Sequence, residues 1–419
     1  MPPRLITKKK PRVDLMLDSG AFGAWKRGKV IDLASYIGFV QQNVDYFFSY
    51  VNVDVIPGRL GLMVRNQSEI EDSAKKSYDN LKIMHKAGLK PIPVFHQGER
   101  WYWLERMLAE GEQYIGISPY LRSNYSALIG WLDQCFTLIT NEKGQPLCKT
   151  HGFGVTDQSI LMRYPWFSCD STSWTMGPSY GHIPVPIYRD GKPDYAWHAQ
   201  RIIISDKPQK TTKLHYDALG PLEQENVRRF LEEECQITIL DARYDPNLRR
   251  RAYLRFYQQL IASIKCPRFQ HRRASMHAQI SSKLKPQGPW PIKLIFATSP
   301  AHGQYADLFT KVGAFNRLIS YWDIIDENSG LPRNGVVDRV REMILTGLHS
   351  DWKGNEWPTT SIRDWNETYR IFRIFRQAYK AGIVPHEHNR FTQGYMADVS
   401  QKRRVPRKAP NGRTGTSSD

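Results

Sequence analysis

Six short apolar runs, each closed by polar or small residues, alternate with longer stretches whose apolar positions return at helical spacing. The runs are DLMLDS (14–19), YFFSYVNVDV (46–55), PIPVFH (91–96), QYIGIS (113–118), KTHGFGV (149–155) and WFSCDS (166–171). Helix-period segments lie between them at 32–43, 68–87, 100–110, 124–140 and 156–163. Strand-length runs separated in this way predict βαβ units and a parallel sheet. Ser68 and Glu71 have the spacing of a capping box, and Thr156 is placed to open the last of these helices. Two later runs, ITILDA (237–242) and IKLIFATS (292–299), bring the strand count to eight. The expected fold class is α/β: a (β/α)8 TIM-like barrel with insertions and a helical C-terminal extension.

The barrel is expected over 1–325, with an insertion at about 177–290. The first part of that insertion is rich in Pro, Tyr and charge. It carries a hairpin signal, the Asp190-Gly191 pair. Residues 248–264 read as an arginine-rich amphipathic helix, and 305–325 and 361–382 also read as helical. The helical extension would occupy 326–400, and a polar, basic, disordered tail 401–419.

In parallel α/β proteins, ligands bind at the carboxyl ends of the strands. Those ends read, in order: Asp18-Ser19-Gly20; Asn52 and Asp54; His96-Gln97-Gly98-Glu99; Gly116 and Ser118; His151 and Gly154; Asp170. Any one of them is an ordinary turn or cap. Together they set three carboxylates, Asp18, Asp54 and Asp170, around one rim. Two carboxylates flanking one anomeric carbon suit glycosidic chemistry, one as nucleophile and one as general acid and base. Phe22, Trp101, Trp103 and Trp174 stand near these ends, where an aromatic ring can stack on a base.

Charge narrows the partner. The chain has 59 Lys and Arg against 41 Asp and Glu, a net charge of +18. The tail supplies part of the excess, but the body remains basic without it. Nucleic acid is the first polyanion to consider, with Arg249, Arg250, Arg251, Arg268, Arg272 and Arg273 as candidate phosphate contacts. The five cysteines are scattered and form no C-x-x-C pair. This argues against a disulfide framework and a cysteine zinc site and fits a reducing cytosol. No apolar run approaches the ~18 residues of a membrane span, and the basic N-terminus lacks the apolar stretch of a signal peptide.

Taken in order, LDSGAFGAWKRG (17–28), VDVIPG (53–58), HQGE (96–99), YIGISPY (114–120), HGFGVTD (151–157) and SCDSTSW (168–174) resemble motifs of the tRNA-guanine transglycosylase superfamily. RDGKPDYAWHAQRIIISD (189–206) is similar to the segment after that family's nucleophile, and GAFNRLISYWDI (313–324) to a later barrel helix. The resemblance implies Asp170 as nucleophile and Asp18 as general acid and base. It implies a base pocket of Ser19, Gly20, Asp54, Gln97, Gly98 and Gly116.

The chain departs from the family in three respects: the family's barrel segment before the first motif and its archaeal-type RNA-binding C-terminal domain are not recognised, and its zinc motif is missing. The C-x-C-x-x-C…H zinc motif that follows the nucleophile strand is not seen, since Cys235 and Cys266 stand alone. No cofactor is therefore expected. A trimmed chain without that motif is similar to the phage and bacterial relatives that exchange guanine in DNA for a 7-deazaguanine. The implied partners are DNA and a preQ0-like 7-deazaguanine base, without a membrane, in a cytoplasm that is the host's if the chain is phage-encoded. A homodimer is compatible with this reading. The alternatives are the same chemistry on tRNA, a non-catalytic nucleic-acid-binding barrel and a glycoside hydrolase. The basic charge and the Asp18 block disfavour the last.

Overall fold

The computed structural model describes residues 14–58, 66–120, 124–206, 214–270, 284–298 and 316–325. Its centre is an eight-stranded sheet in which every pairing is parallel. Six strands come from the six apolar runs: β1 (Asp14–Asp18), β2 (Ser49–Tyr50), β3 (Val94–His96), β4 (Tyr114–Ser118), β5 (Lys149–Gly152) and β6 (Ser168–Ser171). Four more, β7 (His182–Val185), β8 (Ile187–Arg189), β9 (Lys192–Asp194) and β10 (Gln200–Ile203), build two small antiparallel pairs beside it. β11 (Lys293–Thr298) and β12 (Asn316–Ser320) complete the main sheet, whose order is β2-β1-β12-β11-β6-β5-β4-β3.

The sheet curls until its edges meet at one point. Val51, just past β2, bridges Ile92, just ahead of β3, in parallel. The Ile92 N–H donates to the Tyr50 carbonyl (2.8 Å) and the Asn52 N–H to the Ile92 carbonyl (2.9 Å). This is a TIM-like α/β arrangement.

A short helix not foreseen in the sequence, α1 (Ala21–Lys26), follows β1; the helices α2 (Leu33–Asn43), α3 (Gln67–Lys86), α4 (Trp101–Glu110), α5 (Tyr125–Ile139) and α6 (Gln158–Arg163) fall where the periodicity places them. Alternation along each strand sorts the core in two. Outward residues Ile115, Ile117, Cys169, Leu294 and Phe296 join Leu104, Leu108, Leu132 and Phe136 of the helices in the larger core. Inward residues Met16, Val94, Ile295 and Leu318 meet Val51 and Ile92 in a smaller one. The same parity builds the rim. Two residues beyond Met16 stands Asp18, two beyond Val94 stands His96, and two beyond Ser168 stands Asp170.

Two capping residues differ from expectation. α3 starts one residue before Ser68, with Asn66 and Glu69 forming the reciprocal box. The Asp157 carboxylate, rather than Thr156, caps α6 by accepting from the Ser159 and Ile160 N–H groups. The Asp157 carboxylate closes two of the orphan N–H groups of the first turn of α6.

The run at 292–299 supplies β11 as expected, while two other segments differ. Residues 237–242 do not form a strand. Thr238 and Asp241 cap each other reciprocally and start a helix, Ile239–Tyr244, so local capping overrides the apolar run. Of residues 305–325, expected to be helical, only 316–325 are described; there β12 takes 316–320, and Tyr321–Ile324 is helix. β12 fits between β1 and β11 because both neighbours leave it a parallel ladder, with Leu318 aligned to Met16 and to Ala297.

The hairpin expected at Asp190-Gly191 forms. β8 pairs with β9 across Asp190 and Gly191, both at positive φ (48° and 74°), as a primed turn demands. The arginine-rich segment is a helix, Pro246–Ser263, with Pro at its first position and the Asp245 carboxylate as its cap. The expectations for 326–400 and 401–419 lie outside the described residues, as do those for Arg272 and Arg273.

Candidate active site at the carboxyl rim

Three of the strand ends place acids in one electrostatic neighbourhood. The Asp18 carboxyl is pushed up to about 8, first by burial and then by the negative charges of Asp54 and Asp170. A backbone hydrogen bond at Gly20 pulls it partly back. Two charges that raise a third carboxyl in this way share a poorly hydrated space with it. The Asp170 carboxyl is also raised, to about 6, by burial, against hydrogen bonds from backbone N–H groups. One of those donors is Gly154, whose N–H bonds Asp170 Oδ1.

Asp54 is held from several sides. Helix α3 grips its loop: Asn52 donates to the Ser77 carbonyl (2.8 Å), the Val55 N–H donates to Ser77 Oγ (2.7 Å), and Asn80 donates to the Val53 carbonyl (2.7 Å). The Asp54 carboxylate accepts from Ser19 Oγ (3.2 Å) and pairs with His96 Nε2 (2.9 Å). His96 Nδ1 lies 3.0 Å from Glu99 Oε1. All four side chains are buried. Burial alone would lower the His96 pKa, but bonds to Asp54 and Glu99 outweigh it and hold His96 up at about 9. At neutral pH the imidazolium therefore sits between two carboxyl groups. Burial lifts the Glu99 carboxyl, and its contact with His96 opposes the rise.

The expected pocket residues fall around this set. Ser19 is in direct contact with Asp54. Gly20 has φ +79°, and a side chain there would overlap Ser320 Oγ and Trp322 Cβ. Gln97 follows His96, and its Oε1 accepts from the Tyr120 N–H (2.9 Å). Gly98 turns the chain at φ +99° under the Tyr120 ring. Gly116 aligns with Val94 on one side and His151 on the other. The space a Gly116 side chain would fill is taken by the Phe153 ring.

The basic residues need correction. Arg249 is 4% exposed and donates to the carbonyls of Pro178, Ala242 and Arg243. Arg251 is buried and bonds Gln236. Neither is a phosphate contact, because the amphipathic helix turns them into the protein, where Arg249 holds backbone carbonyls and Arg251 the Gln236 side chain. Arg250 is half-buried and bonds Asn247 and Ser179. Arg268 is exposed. Among the aromatic candidates, Trp103 and Trp174 are core residues and Trp101 packs on Phe95. None of these three is free to stack on a base. Phe22 stacks on Trp25.

Sequence reasoning placed His96 and Glu99 at a strand end but gave them no role. The H-x-x-E spacing at a strand terminus is the signal for them. His151 and Ser168, wholly buried on the inward face beneath Asp170, were also left without a role. Among the described residues no group of three or more His, Cys, Asp and Glu is arranged to hold a metal ion, and no helix is long and apolar enough to cross a membrane. Comparison with family models, curated proteins and solved structures finds no match for this chain.

Proposed function

We propose that this protein is a base-exchange transglycosylase that replaces guanine in DNA with a 7-deazaguanine through a covalent Asp170–deoxyribosyl intermediate. What carries the proposal is the burial of Asp18 and Asp170 at strand ends of one sheet, which raises both carboxyls, Asp18 further because the charges of Asp54 and Asp170 act on it. At neutral pH one carboxyl keeps its proton and the other does not, which is the split that an acid and a nucleophile need. The ordered motifs noted above supply the direction of the reaction. We read the Val51–Ile92 bridge as the seam of a closed (β/α)8 barrel, with the acids at its carboxyl mouth.

The target nucleotide leaves the stack to reach this rim. Asp170 attacks C1′ as the C1′–N9 bond breaks, and the electron pair leaves with guanine, which takes the Asp18 proton. The incoming base gives a proton to Asp18 and attacks C1′. The ester bond to Asp170 then breaks, so the configuration is retained over two inversions. Asp54, held by Ser19 and His96, keeps acceptor positions for the N–H groups of the base edge. Of the candidate phosphate contacts, Arg268 is exposed to the solvent.

The test is release of labelled guanine from DNA in the presence of preQ0. Wild-type protein should release it, and Asp170→Ala should not. Full exchange by Asp170→Ala refutes the nucleophile, and exchange on tRNA alone moves the substrate to tRNA.

A further inference from the structure

A line of hydrogen-bonding groups runs through the sheet interior beneath the nucleophile. The Tyr114 hydroxyl contacts Ser168 Oγ, and Ser168 Oγ lies 2.7 Å from His151 Nδ1. The other ring nitrogen, His151 Nε2, has no hydrogen-bond partner although the ring is wholly buried. It faces Asp170 Oδ1 at 3.8 Å. The Phe153 ring closes the side of the imidazole, edge-on, at 4.5 Å between centroids. An unpartnered buried nitrogen aimed at a reacting carboxylate asks for an explanation.

Two arrangements run one continuous relay of protons along the chain; a third, in which Ser168 Oγ accepts from both Tyr114 and Nδ1–H, leaves the Ser168 hydrogen outside the chain. In the first, Tyr114 donates to Ser168, Ser168 donates to Nδ1, and Nε2 carries the hydrogen. In the second, every donor is reversed, and Nε2 turns a lone pair toward the Asp170 carboxylate. The second sets electron density against an anion in a dry setting and leaves the phenol hydrogen without an acceptor. The first sets an N–H dipole against the anion. Burial also lowers the His151 pKa to about 3, so the ring is neutral and its tautomer is the variable.

We propose that His151 is a positioning residue for Asp170: the Tyr114–Ser168 chain fixes it as the Nε2–H tautomer, whose N–H is directed at Oδ1 and leaves Oδ2 as the attacking atom. This rests on the reading of Asp170 as nucleophile. Gly154 donates to the same Oδ1 from the other side. In the second half of the reaction the C1′–Oδ2 bond breaks and the electron pair returns to the carboxylate. Two fixed N–H groups then receive the charge. Besides these two groups, a backbone hydrogen bond of Asp170 itself favours its carboxylate, and Asp170 is in turn one of the like charges that raise Asp18 on β1.

Nuclear magnetic resonance on the full chain tests the inference without requiring turnover. The ring ¹⁵N shifts of His151 in wild-type protein should report Nε2–H with Nδ1 as acceptor, and Ser168→Ala should lose that fixed pattern. The Asp170 carboxyl ¹³C resonance, assigned by Asp170→Asn, should titrate about one unit higher in His151→Phe. That is about tenfold less carboxylate at pH values below both midpoints. His151→Gln, which restores an N–H at that reach, should return the midpoint toward wild type. First-turnover guanine release should fall in His151→Phe in parallel, while affinity for the free base holds. An Nδ1–H tautomer in wild type overturns the proposal, even if the Phe variant does not fold. So does an unmoved Asp170 midpoint in a folded His151→Phe protein. If wild type releases no guanine while the tautomer and midpoint behave as stated, the transglycosylase reading fails and the positioning contact stands.

Discussion

The pH dependence of the first half-reaction follows from two groups held in opposite states. Asp170 must be ionised to attack, and its pKa is about 6; Asp18 must be protonated to release guanine, and its pKa is about 8. Both carboxyls rise for the same reason, burial, and Asp18 rises further because Asp54 and Asp170 are charged beside it. At pH 7 each group is about nine-tenths in its working state, and moving two units to either side costs about tenfold in rate. Single-turnover release of labelled guanine, measured from pH 4.5 to 10, should therefore give a bell with limbs near 6 and near 8. These values belong to the coupled pair rather than to either residue alone. Asp54→Asn removes the largest of the like charges acting on Asp18 and should move the alkaline limb toward lower pH. A flat profile, or an alkaline limb unmoved in Asp54→Asn with the base saturating, would refute the assignment.

The buried His96 should also tie stability to pH. Its folded midpoint of about 9 stands above 6.5, so its contribution is fully present below pH 6.5 and is lost as pH rises through about 9. Asp18 acts with the same sign at lower pH, so the readout is the difference in Tm slope between wild type and His96→Gln across pH 6.5–9; equal slopes would exclude the effect. Gly20→Ala places a side chain at φ +79° against Ser320 and Trp322 and should cost about 1–3 kcal/mol or more in denaturant melts. Arg249→Ala strips donors from three buried carbonyls and should cost about 2–4 kcal/mol while leaving the salt dependence of DNA binding unchanged. Arg268→Ala should leave Tm unchanged and lower the salt slope of DNA binding by about one.

Much of this architecture is legible in period and punctuation. The six early strands are short runs with helices between them, and period-2 parity already puts Asp18 and Asp170 on the inward face. Sequence reasoning fails where a local rule competes with a pattern. Residues 237–242 look like a strand, but the Thr238–Asp241 box makes a helix. Residues 316–320 sit in a stretch that looks helical, yet a parallel ladder on both sides makes them a strand. Arg249 and Arg251 look like a basic face in a linear reading. Their direction depends on which side of the helix packs on β7 and on Ser173–Ser179, a tertiary fact. The His96 and His151 contacts are also tertiary: each joins residues 42 and 17 positions apart, respectively, and neither distance is written in local spacing.

The central claim is that Asp170 becomes covalently bound to the sugar. Incubating the protein with a guanine-containing duplex, without an acceptor base, and quenching in acid should trap the intermediate. Peptide mass spectrometry should then place a deoxyribosyl-linked oligonucleotide on Asp170 and find no adduct in Asp170→Asn. An adduct on a different residue, or exchange proceeding in the Asp170→Asn protein, would contradict the account.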